Sequence, residues 1–113
     1  MNAVNINVSV QCVRSGWALI LLNDPRLTAI YRLYIDDNLL SERTWAWSDN
    51  TFIQENIWIY AEKDSSHILT IEPILKNSRH AISRHATFTL FDFSIDTPFT
   101  SEQINDLAIS FTL

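Results

Sequence analysis

The chain has 113 residues, a net charge of −5 and 47% hydrophobic side chains. This length suits a single domain, residues 1–113, with a core of useful size. The composition excludes a disordered chain. The acidic balance excludes a general nucleic-acid binder, which needs cations to replace the counterions it displaces. A lone cysteine, Cys12, excludes an internal disulfide and a cysteine-based zinc site.

Residues 4–12 alternate Val4, Ile6, Val8, Val10 and Cys12 with Asn5, Asn7, Ser9 and Gln11, which predicts a strand with one face in a core and the other wet or against a polar surface. Arg14-Ser15-Gly16 breaks it at the only glycine. Residues 17–22 are apolar at both parities, as in a strand covered on both sides or placed at an interface. Six apolar residues are far too few to cross a bilayer. Asn23-Asp24-Pro25 stops that run. Residues 27–35 and 39–47 form the next two strands around Asp36-Asp37-Asn38, whose residue types tolerate left-handed backbone. With one glycine in the whole chain, turns are expected to be of type I, in longer loops, rather than two-residue mirror-image turns.

Residues 52–61 follow, with Ile53, Ile57 and Ile59 at one parity and Phe52, Asn56, Trp58 and Tyr60 at the other. Residues 67–75 make another strand, with Pro73 near its exit. The stretch 76–85 holds Lys76, Arg79, Arg84, His80 and His85 with no acid, and reads as a cationic surface loop able to meet an acidic neighbour. Residues 86–95 alternate again, placing Phe91, Phe93 and Ile95 on one face with Phe88, Leu90 and Asp92 on the other. Thr100 followed by Gln103 is a capping-box signal for a short helical turn. Residues 107–113 end the chain as a strand.

These elements predict an all-β fold, an antiparallel β-sandwich of about eight strands in a jelly-roll or Greek-key arrangement, with a closed β-barrel as the alternative. Candidate chemistry is sparse. Trp45 and Trp47 share a strand face, and Trp58 is placed to face them from the next strand. Three flat rings make a sugar-stacking platform, or else fill a core or a subunit contact. Asp92 with Asp96, and Asp36 with Asp37, are carboxylate pairs, but turn chemistry and strand termination account for Asp36, Asp37 and Asp96 without catalysis or metal. His80 and His85 are spaced five apart, which suits neither a helix face nor a strand face. His67 reads as a polar edge residue and Cys12 as a small core residue. No nucleophile elbow or glycine-rich phosphate loop is present, so neither enzyme activity nor a cofactor is expected.

The segment Arg32-Leu33-Tyr34-Ile35-Asp36-Asp37-Asn38-Leu39-Leu40, with His67-Ile68-Leu69-Thr70-Ile71 later, resembles the hairpin-and-return pattern of jelly-roll sandwiches. Asn38 stands where their turn often has glycine. The resemblance covers about forty residues, and many carbohydrate-binding and adhesive modules share it. In its shortness, its Asn, Ser and Thr content and its strand-only patterning, the whole chain is similar to small virion-associated proteins of tailed bacteriophages. That resemblance implies an assembly role.

The expected function is a non-enzymatic structural or interaction module, such as a virion decoration protein, that associates with itself or with a protein lattice. The alternative is a carbohydrate-binding module using Trp45, Trp47 and Trp58, with Arg79 and Arg84 as further contact candidates. Residues 1–7 lack the basic and continuous apolar stretches of a signal peptide, so the expected location is the cytoplasm of the producing cell or a virion.

Overall fold

The computed structural model describes residues 2–14, 28–45, 52–76 and 86–113. The expected strand at 17–22, Trp47, Arg79, Arg84 and most of the cationic loop lie outside the described residues. Eight strands are present among those described: β1 (Asn2–Arg14), β2 (Thr28–Ile35), β3 (Asn38–Trp45), β4 (Ile53–Ala61), β5 (Ser66–Lys76), β6 (Ala86–Ile95), β7 (Thr100–Asn105) and β8 (Ala108–Thr112). They form two antiparallel sheets, ordered β4-β1-β6 and β3-β2-β5-β8-β7, packed as a sandwich. The closed barrel is not formed.

β1 is the middle of the three-stranded sheet. Its first part pairs with β4 from Asn2↔Ala61 to Val10↔Ile53, and its second part with β6 from Ile6↔Ile95 to Arg14↔Ala86. The alternation decides its orientation. Val4, Ile6, Val8, Val10 and Cys12 are all buried, in one cluster with Leu33, Ile35, Leu69, Ile71, Ile109 and Phe111 of the opposite sheet. Truncating one of the larger of these side chains to alanine costs about 2–5 kcal/mol in typical cores.

Three local expectations are corrected. First, Asp36 and Asp37 alone join β2 to β3, with φ of 51° and 68°. Positive φ at both central residues is the mirror-image hairpin turn, and two aspartates occupy it in place of glycine. Second, residues 100–105 form β7, hydrogen-bonded to β8, not a helical turn. A full ladder outweighs a single helical turn, whose nucleation is unfavourable. Third, the parity of β6 is broken at Asp92, which has φ 52°. The β1–β6 register shifts between Asn7 and Ser9, so an extra β6 residue bulges opposite Val8. Phe91 pairs across Ser9 on the outer face, whereas Phe93 turns inward to meet Phe111 at 5.3 Å and Phe99 at 5.6 Å.

One polar bridge links the sheets. Glu55 of β4 lies at the parity of Ile53, Ile57 and Ile59 and is 3% exposed. The Tyr31 hydroxyl donates to its Oε1 at 2.5 Å. Arg43 donates Nε to Oε1 and Nη2 to Oε2, the latter at 3.1 Å. Both oxygens of the buried carboxylate are thereby satisfied, which its burial requires. Phe88 packs edge-on against Tyr31 at 5.5 Å and against Trp45 at 6.1 Å, so Trp45 belongs to the core beside this bridge.

Burial, then the hydrogen bond to Glu55, pushes the Tyr31 phenol far above its ordinary value. Tyr31 therefore stays protonated in the fold at a pH where the unfolded phenol ionises, above about 10. Unfolding then releases a proton, so stability falls as pH rises beyond that point. Replacing Tyr31 by Phe should cost about 1.5–3 kcal/mol at neutral pH, the worth of a hydrogen bond to a charged group. It should also flatten the loss of stability between neutral and strongly alkaline pH. Urea denaturation across that range checks both.

Candidate functional site: the outer face of the three-stranded sheet

The same alternation that fills the core decides what β1 presents outside. Asn5 pairs opposite Trp58, Asn7 opposite Asn56, Ser9 opposite Gln54, and Ala3 opposite Tyr60. On the other flank Ser9 faces Phe91, Gln11 faces Thr89 and Asn7 faces Ser94. No charged side chain lies among these paired outward positions, and Ser9 among them is itself buried at 2% exposure. Trp58 is 64% exposed, Tyr60 77% and Phe52 57%, all on or beside β4. Phe52 and Phe91 meet edge-on at 5.6 Å. Large rings held in water on a rigid sheet are costly to leave uncovered, so they mark a contact surface more often than an accident.

Three amides beside Trp58 close a ring of hydrogen bonds. Asn5 Nδ2 donates to Asn56 Oδ1 at 2.6 Å, Asn56 Nδ2 to Asn7 Oδ1 at 3.0 Å, and Asn7 Nδ2 to Asn5 Oδ1 at 3.0 Å. Asn5 Nδ2 also donates to the Ile57 carbonyl at 3.4 Å, so the spare donors belong to Asn7 and Asn56, while all three amide oxygens keep a lone pair. Rigid, uncharged donors and acceptors therefore stand next to exposed rings. Asp96 closes the sheet at one end: its Oδ1 accepts the Asn5 N–H at 3.0 Å and its own N–H donates to the Asn5 carbonyl at 3.1 Å. It is a ladder terminator, and the bulge at Asp92 removes it from the simple register that would align the two carboxylates.

The opposite outer surface, on the five-stranded sheet, has a different character. Arg32 Nε lies 2.8 Å from Glu42 and Arg32 Nη1 lies 3.8 Å from Glu72, while the Tyr34 hydroxyl donates to Glu72 at 3.1 Å. These exposed pairs are solvated charge, and the same sheet exposes Leu39 and Leu40 on β3 and Ile104 on β7.

Of the two described members of the expected platform, Trp58 is at the surface and Trp45 is not; Trp47 lies outside the described residues. Trp45 is 3% exposed in the core, because it lies on the inward parity of β3 next to Phe88. The surface rings are instead Trp58, Tyr60 and Phe52, aligned along β4. The sequence signal for them was the outward parity of residues 52–60, read together with the uncharged outward parity of residues 5–11.

A second constellation escaped the sequence reading. His67 Nδ1 lies 2.5 Å from Asp36 Oδ2, and His67 Nε2 lies 2.7 Å from Ser65 Oγ. The order of groups is that of a hydrolase relay. The amides flanking the hydroxyl are committed: Ser65 N–H donates to the Glu62 carbonyl at 3.2 Å and Asp64 N–H to the Leu113 carbonyl at 2.9 Å. Neither of these two amides is left to hold an oxyanion. Ser65 Oγ also lies 2.6 Å from the Glu62 carbonyl, and the His67 ring packs on Phe111 at 5.4 Å. Asp36 Oδ1 further accepts the Ile68 N–H at 2.9 Å. The trio acts as a latch joining the β2–β3 turn to the β4–β5 turn. Among the described residues, no group of three or more His, Cys, Asp or Glu side chains is placed to hold a metal ion.

The chain matches no protein-family model, no curated protein and no solved structure in these comparisons. The working surface must therefore be argued from its own chemistry.

The two turn aspartates make a paired test of the latch. Asp37 sits at positive φ with no side-chain partner in the latch, so Asp37→Gly should stabilise by about 0.5–1 kcal/mol through relief of the left-handed strain. Asp36→Gly relieves the same strain but strips two acceptors from His67 and Ile68, and should destabilise by about 1–3 kcal/mol. Opposite shifts of the urea midpoint are expected.

Proposed function

We propose that this protein is a structural interaction module that works through the outer face of its three-stranded sheet, as a component of a larger protein assembly. The observation that carries this reading is the contrast between the two outer faces. The five-stranded sheet presents paired charges to water and exposes the aliphatic Leu39, Leu40 and Ile104 on its two edge strands, whereas the three-stranded sheet presents the aromatic Trp58, Tyr60 and Phe52 among uncharged polar groups. Depletion of charge with enrichment of aromatics is the compositional mark of a protein interface core, and Trp and Tyr are the residues that dominate binding energy there. A partner surface of apolar and uncharged polar groups fits it. A virion surface, where a small decoration protein docks on a repeating lattice, is the setting implied by the resemblance to small virion-associated proteins.

One observation favours a second reading. The ring of Asn5, Asn7 and Asn56 beside Trp58 offers fixed donors and acceptors without charge, which suits the hydroxyls of a neutral saccharide stacked on the indole. On that reading the module binds glycans through Trp58 and the amides, without Trp45.

Trp58→Ala with Tyr60→Ala separates the readings. Both side chains are exposed, so stability should move by no more than about 0.5 kcal/mol. The unaltered protein should co-sediment with large protein particles from the producing cells, and the double variant should lose at least about tenfold in that association. Co-sedimentation that survives the double substitution would remove the face as the docking surface. A Trp58 fluorescence shift on titration with neutral oligosaccharides, in place of particle binding, would select the saccharide reading.

A further inference from the structure

We infer that the outer edge of β4, to which none of the described residues bonds, pairs antiparallel with β4 of a second copy, joining the two three-stranded sheets across a twofold axis. This inference rests on the reading of that sheet as the working surface and names one partner for it.

Among the described residues the two sheets have four edges, those of β3, β7, β6 and β4. An unpaired strand edge is a template for another strand, and proteins blunt it with bulges, charges, short length or a covering contact. β3 carries a register shift at Leu33/Tyr34 and the exposed charges of Glu42 and Arg43. β7 spans only Thr100–Asn105, has a register shift at Gln103/Asn105 and exposes Glu102. β6 has the bulge at Asp92, and its edge is covered where Leu90 N–H donates to the Asp106 carbonyl and Gln103 Nε2 donates to the Leu90 carbonyl. β4 has none of these devices. Its register with β1 is unbroken over nine pairs, it contains no proline or glycine, and its only charge, Glu55, points into its own sandwich and is held by Arg43 and Tyr31. Among the described residues, nothing bonds to its outer edge.

The occupant follows from pattern and charge. Residues 52–60 match by type at their ends and centre: aromatic at 52 and 60, isoleucine at 53 and 59, and Asn56 in the middle. In an antiparallel pair centred on Asn56, Phe52 meets Tyr60 of the second copy, Ile53 meets Ile59, Gln54 meets Trp58, Glu55 meets Ile57, and Asn56 meets its own counterpart. Aromatic lies against aromatic and isoleucine against isoleucine, the cross-strand matches that stabilise sheets. Charge points the same way. The chain carries −5 overall, so two copies repel over most approaches, and this neutral edge lets them meet without opposing like charges. A twofold contact uses the same edge on both copies and closes the assembly, with no free β4 left to grow a fibre. The exposed faces of the two sheets then join into one aromatic surface.

The test combines mass with cross-linking. The wild-type protein should pass from monomer to dimer with rising concentration by light scattering. Over the same range, hydrogen exchange should slow at β4 amides. Asn56→Cys, placed on the axis, should give a covalent dimer under oxidised glutathione. Directly opposed residues have Cα atoms about 4.5–5.5 Å apart, within the span of a disulfide. Gln54→Cys should not, because its counterpart is offset by four residues, about 13 Å. A wild-type chain that stays monomeric at its highest soluble concentration, with unprotected β4 amides, overturns the pairing, and so does cross-linking that favours position 54. Particle association abolished by changes at Trp58 and Tyr60 would still uphold the face reading after such a result, so the two failures are distinguishable.

Discussion

The strict alternation of β1 is the constraint on which the rest depends. This strand is the middle of a sheet only three strands wide, so it contributes to both surfaces along nearly its whole length. Its inward set, from Val4 to Cys12, is closed over by β2, β5 and β8. Its outward set of Asn5, Asn7, Ser9 and Gln11 cannot reach the core without a slip of one residue, which would turn four polar side chains into the core and five apolar ones out of it. The identity of the outer face is therefore decided by the same energetics that hold the sandwich together. A face made of amides instead of lysines and glutamates needs a further explanation, because solubility alone is served better by charge.

Much of this was legible because period two is a backbone property that needs no knowledge of partners. It assigned β1, the inward isoleucines of β4, and Cys12 to their places. It failed where one residue changes the count. Asp92, at φ 52°, adds a residue to β6 and exchanges the fates of Phe91 and Phe93, and a parity rule has no means of seeing an unpaired residue. It also missed what depends on contacts distant in sequence. Asp36, Ser65 and His67 each have a sufficient local explanation as turn or edge residues, and only the juxtaposition of two turns makes them a latch. Glu55 left a visible trace, a carboxylate on an apolar parity. Its partners, Tyr31 and Arg43, come from the other sheet and had no signal in the local pattern. Trp45 stayed open between platform and core for a related reason: which parity of a strand is buried depends on the opposing sheet, and both parities of residues 39–47 mix polar and apolar types.

The sandwich is also asymmetric in how it handles its margins. The five-stranded sheet ends in β3 and β7, both bulged and charged. The three-stranded sheet ends in β6, which is bulged and covered, and β4, which is regular and neutral. Glu55 gives this asymmetry a physical basis. A carboxylate on β4 facing inward demands Tyr31 and Arg43, and satisfying it ties the β4 edge to β2 and β3 across the core. The strand is held straight from within while its other side stays open. A rigid open edge loses little entropy when a second strand pairs with it, the same advantage that preorganisation gives any interface.

Edge and face belong to one strand, and that joins the two levels of the argument. A contact made only through the outer face would leave the β4 backbone groups to water, where they are satisfied but contribute nothing to recognition. A contact made only through the edge would leave Trp58 and Tyr60 exposed, their apolar area still in water at a cost of about 25 cal/mol per Å². Pairing two copies at the edge sets both pairs of rings on one continuous sheet and doubles the area offered to a third body. Two linked weak sites then bind a repeating surface far more tightly than either alone, provided the spacing matches. On the proposed pairing, a small acidic domain with so little surface to spare would gain a broad neutral platform without enlarging its own core.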